Sequence, residues 1–69
     1  MLHSVLTKIY QKRLDKKYSQ QYMASQLNIS QGYYHKLENG KKTLSLQHII
    51  DIANILNIPI TELLGNQEP

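Results

Sequence analysis

Ser19, Ser30 and Ser45 each stand directly ahead of a stretch with helical apolar spacing, and Asn28, Gly40 and Asn57 stand where those stretches stop. A serine hydroxyl accepts from the N–H groups that a helix start leaves unpaired. Asparagine and glycine tolerate the left-handed conformation that ends many helices. This punctuation predicts three short helices: Ser19 to about Leu27 with Met23, Ala24 and Leu27 on one face, Ser30 to Asn39, and Ser45 to about Leu56. The last would turn Leu46, Ile49, Ile52, Ala53 and Leu56 inward. Ahead of them, Leu2, Val5, Leu6 and Ile9 follow the same spacing, which predicts a first helix over about 3–16. After Pro59, the residues Ile60, Leu63 and Leu64 predict a short fifth helix. No alternating strand pattern is present, so the fold class is all-α.

With 69 residues, the chain accommodates one small domain. Residues 1–65 are assigned to it, and 66–69 to a frayed tail or the start of a linker. A domain of this size buries little apolar surface and keeps a margin of about a few kcal/mol. Cysteine is absent, which excludes a disulfide staple and a thiolate metal site. The apolar run from Ile49 to Ile60 is broken by Asp51, Asn54 and Asn57, and the N-terminus lacks the apolar segment of a signal peptide. A cytoplasmic location is the expectation.

The net charge is +3. Its distribution matters more than its size: Lys8, Lys12, Arg13, Lys16 and Lys17 share one segment, and Lys36, Lys41 and Lys42 flank Gly40. Clustered basic charge is the footprint of a polyanion, and it is equally the mark of a solvated helix face. Geometry must separate the two readings.

At about 100° per residue, Tyr34 and Leu37 define the inward arc of the third helix, and Glu38 falls at its margin. Arg13 follows Ile9 by one turn on the inward stripe of the first helix. A lone buried charge is costly and a hydrogen-bonded pair is tolerated, so Arg13 is expected to reach Glu38. The outward arc of the third helix carries Gly32, Lys36 and Asn39, with His35 beside them and Gln31 and Tyr33 at its flanks. A glycine in a helix costs up to about 1 kcal/mol relative to alanine, which a merely solvated face would not require.

The segments "SQQYMASQLNIS" and "QGYYHKLENGKK" resemble the helix-turn-helix of the Cro and phage-repressor family, also called the xenobiotic-response-element type. "LSLQHIIDIANILNIPITELL" resembles its fourth and fifth helices, so the likeness runs from about Val5 to Leu64. Three positions depart from the family pattern. Asn28 replaces a turn glycine, Tyr34 stands where Ile or Val is usual, and Leu44 stands where proline is common.

The resemblance implies a compact five-helix lambda-repressor-like domain, its second and third helices forming the motif, and double-stranded DNA as partner. Base-reading falls to Gln31, Gly32, Tyr33 and Lys36, and backbone contact to Ser19, Gln20, His35, Asn39, Lys41 and Lys42. In such readout Gln31 pairs with adenine and Lys36 with guanine. Gln20 is also expected to brace the start of the third helix. The function implied is a transcriptional regulator, a repressor that occupies a pseudo-palindromic operator as a homodimer. Its half-sites lie about 34 Å apart. Ile50, Ile55, Ile60 and Leu64 form the candidate dimer patch, against the alternative that they cover the small core.

No cofactor is implied. His3, His35 and His48 have no metal-ligand spacing, and a His48–Asp51 pair would leave an ion undersatisfied. Neither a phosphate loop nor an acid/base pair is visible, so an enzyme is not expected. The competing reading is a repressor-like module that binds a protein partner, antitoxin-like, with DNA contact secondary. The acid-free outward face favours DNA.

Overall fold

A computed structural model describes residues 2–64, with side chains from residue 4 onward. The side chains of Leu2 and His3 and the expected tail at 66–69 lie outside what is described. Five helices follow in order: α1 (Leu2–Asp15), α2 (Gln20–Leu27), α3 (Gln31–Glu38), α4 (Leu46–Leu56) and α5 (Ile60–Leu64). Among the described residues there is no strand. None of these helices is long and apolar enough to cross a membrane.

Each helix boundary has a local chemical cause. The Oγ atoms of Ser19, Ser30 and Ser45 accept from the amides of Tyr22, Tyr33 and His48 at 2.9, 3.1 and 3.1 Å. Asn28 and Asn57 close α2 and α4 with φ of 63° and 58°. The third helix ends at Glu38 with Asn39 as its cap, and Gly40 then turns the chain at φ 77°. The first helix ends at Asp15, one residue before the expected limit, because Lys17 enters the left-handed region at φ 62°.

The core is drawn from every helix: Val5 and Ile9, Met23 and Ala24, Tyr34 and Leu37, Ile49, Ile52, Ala53 and Leu56, and Leu63. Each large side chain buried here contributes about 1.5–3 kcal/mol. Helix α2 packs on α3 and α4, while α1 lies against α3, α4 and α5. One expectation fails. Leu46 is 63% exposed, whereas Leu44 is buried. Leu46 occupies the first position of α4, ahead of the turn where the stripe meets the core, and the chain entering the Ser45 cap drops Leu44 into that place instead.

Candidate nucleic-acid interface

The inward side of α3 is built around one carboxylate. Glu38 Oε1 accepts from Arg13 Nη2 at 3.0 Å and Gln20 Nε2 at 2.8 Å. Glu38 Oε2 accepts from Arg13 Nε at 2.8 Å and the Tyr34 hydroxyl at 2.9 Å. The remaining guanidinium nitrogen, Arg13 Nη1, donates to the Tyr18 carbonyl at 2.8 Å. Among the described residues no buried side-chain nitrogen or oxygen lacks a partner. One ion pair thus ties α1 to the end of α3, to the start of α2 and to the loop between α1 and α2.

Electrostatics follow from that geometry. Burial works to raise the Glu38 pKa, but hydrogen bonds from Arg13, Gln20 and Tyr34, with the Arg13 charge, hold it below the ordinary carboxylate value. The hydrogen bond to Glu38 raises Arg13. Burial, then the adjacent Glu38 charge and hydrogen bond, push the Tyr34 hydroxyl well up. Tyr34 therefore stays a donor and Glu38 an ionised acceptor. Such a network specifies orientation more than it adds net stability.

Composition alone does not suggest the contributions of Tyr34 and Gln20. A signal existed: an ionised carboxylate offers about four acceptor sites, and one arginine fills only part of them. The expected brace by Gln20 at the start of α3 is corrected. Its Nε2 holds Glu38 at the end of α3, and its Oε1 lies 3.2 Å from His35 Nδ1 in the middle of that helix. The start of α2 lies alongside the C-terminal half of α3, which puts the amide there.

Since Glu38 can only accept, Gln20 must present its NH₂ to the carboxylate and its oxygen to His35. That oxygen faces His35 Nδ1, which donates to it in the tautomer that carries its proton there. Asn39 Nδ2 lies 2.9 Å from His35 Nε2 and 3.3 Å from Nδ1. The buried ion pair and the exposed face of α3 are joined by this chain of bonds.

On that outward face Gln31, Gly32, His35, Lys36 and Asn39 are exposed. The only acid of α3 is the buried Glu38. Lys41 and Lys42, both exposed, send their amides to the Lys36 carbonyl at 2.8 and 3.3 Å, so three lysines gather at one end of α3. Tyr33 is half-buried, its ring edge-on to His48 at 6.3 Å between centroids. Ser19 is exposed at the start of α2, its hydroxyl engaged as the cap. A Cβ built on Gly32 would meet nothing within 4 Å, and its backbone is not left-handed. The fold itself does not require a glycine there.

The other candidates are distributed differently. Ile55 and Ile60 are half-buried and pack on the core, Ile50 is half-buried, and Leu64 is 40% exposed. His48 Nδ1 accepts from the Ser45 amide at 3.1 Å, and Asp51 accepts from Gln47 Nε2 at 2.9 Å. His48 and Asp51 are thus each engaged within α4 and its cap.

The family description "Helix-turn-helix" matches residues 9–63. The chain is 36% identical over 50 residues to control protein C.MunI of Mycoplasma sp, across 72% of this chain and 68% of that protein. No solved structure gives a significant match. With α2 and α3 capped and crossed as a helix-turn-helix requires, the chain belongs to the Cro/repressor-like helix-turn-helix family and is a DNA-binding transcriptional regulator.

Proposed function

We propose that this regulator is a sequence-specific repressor acting in the cytoplasm, a dimer on a pseudo-palindromic operator with α3 in the major groove. The observation that carries the reading is Gly32. It is exposed, costs helix stability and is required by no neighbour in the fold, which makes sense where a base pair or sugar–phosphate must come close. In this reading Gln31 and Lys36 pair with base edges, and Tyr33 lines the groove wall. Ser19, His35, Asn39, Lys41 and Lys42 hold phosphates. Gln20 contributes its backbone amide, since its side chain is engaged with Glu38 and His35. A similar protein bears the name of a control protein, which supports a regulatory role of this kind. No catalytic role is assigned.

For the dimer we take the exposed Leu46 with Ile50 one turn later on α4, together with Leu64 on α5. Ile55 and Ile60 serve the core more than the patch. Selection of bound duplexes from a random DNA pool at near-physiological salt tests the whole reading. An inverted repeat should be enriched by the wild type and relaxed by Gln31→Ala/Lys36→Ala. Salt-sensitive retention with no enriched sequence would replace it with the protein-partner reading.

A further inference from the structure

Four described residues adopt the left-handed backbone region: Lys17, Asn28, Asn57 and Gly40. Three of them are the residue types that enter this region at least cost. The fourth is a lysine, at φ 62°. Nothing within the fold asks for lysine at this position. Its amide closes the end of α1 on the Leu14 carbonyl at 2.9 Å, a bond any non-proline residue would make. Its side chain is exposed, and its ammonium has no partner among the described residues. The nearby carboxylate in the chain, Asp15, forms no ion pair with it.

The position of Lys17 is nevertheless well determined. The next residue, Tyr18, is held at both backbone groups: its amide donates to the Arg13 carbonyl at 3.1 Å, and its carbonyl accepts from Arg13 Nη1 at 2.8 Å. The same guanidinium grips Glu38 at the end of α3. The loop carrying Lys17 and the recognition helix are therefore anchored to one side chain. Gln20, three residues on, touches His35 on the outward face of α3. Three residues span at most about 10 Å. The B-DNA major groove is about 12 Å wide between its phosphate walls. A helix seated in that groove through the outward face of α3 thus keeps Lys17 within a groove's width of the contact between Gln20 and His35, in reach of a phosphate wall.

We propose that Lys17 is a DNA phosphate contact, held in a left-handed turn that Asn or Gly would occupy at lower cost so that its charge stands beside the start of α2. The inference rests on α3 being the groove-entering helix and adds a contact outside the motif. Arg13 acts here as a positioning residue: it fixes the loop and touches no DNA itself.

The test is a salt titration of binding to a duplex of arbitrary sequence, so it does not depend on an operator being found. Lys17→Asn should lower the slope of log affinity against log salt by about 1. At moderate salt it should weaken binding roughly threefold to fivefold, the scale of one exposed ion pair. The same variant should melt at a higher temperature than wild type, which separates lost contact from lost fold. Lys17→Arg should keep the wild-type slope. An unchanged slope and affinity in Lys17→Asn would overturn the proposal, as would equal losses in Lys17→Arg. Failure of the wild type to select any duplex while Lys17→Asn still lowers the slope would fault sequence-specific repression alone.

Discussion

The Tyr34 hydroxyl donates to Glu38 Oε2 at 2.9 Å, one turn along the same helix. A tyrosine with no exposed surface is thus half core and half ligand. Its ring lies in the core, where an aliphatic residue would serve, and its hydroxyl meets an acceptor that Arg13 alone leaves incomplete. The departure from Ile or Val at this position has a purpose: it completes the charge network that orients α3.

Removing parts of that network should give graded losses. Tyr34→Phe keeps the ring and deletes one donor, for an expected cost of about 1–2 kcal/mol. Arg13→Met leaves the buried carboxylate unpaired, for about 3–5 kcal/mol, enough to unfold most of a domain this small. Urea denaturation measures both. If Arg13→Met cost no more than Tyr34→Phe, the ion pair would not be the centre of the network.

Acid should act through the same group. The folded-state pKa of Glu38 lies below its unfolded value, because the hydrogen bonds and Arg13 outweigh burial. Its contribution is therefore fully present above the unfolded carboxylate value, about 4.3, and is lost as pH falls through the lower folded value. Melting temperature should hold from neutral pH down to about 5, as far as this group is concerned, and fall below that. Glu38→Gln, less stable at neutral pH, should show a shallower acid limb. Parallel curves for the two proteins would remove Glu38 from the account.

Gly32→Ala should separate folding from binding. With nothing within 4 Å of the added Cβ, the helix gains and the domain stabilises by up to about 1 kcal/mol. Operator affinity should fall roughly tenfold, the scale of one lost base contact. Calorimetry and a gel-shift titration on the selected duplex read the two effects. A variant that binds as well as wild type would show that nothing approaches this position closely.

Leu46→Lys addresses the dimer. Because Leu46 is 63% exposed, the change should move stability by less than about 0.5 kcal/mol. It should shift the protein toward monomer in sedimentation equilibrium and weaken binding to an inverted repeat more than to a single half-site. A wild type that sediments as a monomer when bound to the repeat would exclude pairing through this surface.

What the sequence determined by itself is local or obligatory. The serine caps, the Asn and Gly stops and the apolar spacing act within a few residues, so the helices and nearly all their ends are legible without the fold. The meeting of Arg13 and Glu38 is legible for a different reason. Two charges on inward faces have few alternatives, because the cost of burying either alone exceeds that of bringing them together. Likewise, the outward arc of α3 follows from its inward one.

The tertiary structure decided everything that depends on how the helices cross. Periodicity assigns a face, but not the height at which that face meets a neighbour. Leu46 therefore looks inward by angle and lies in solvent by position, while Leu44, outside any helix, is buried. The same crossing brings Gln20 to Glu38 and His35 across 18 and 15 residues, respectively. It lays Tyr33 against His48. It also anchors the Lys17 loop to the guanidinium that holds α3. Hydrogen bonds and ring contacts of this kind are short-ranged, so a shift of one helix by an ångström or two would break them without changing a single residue's periodic face.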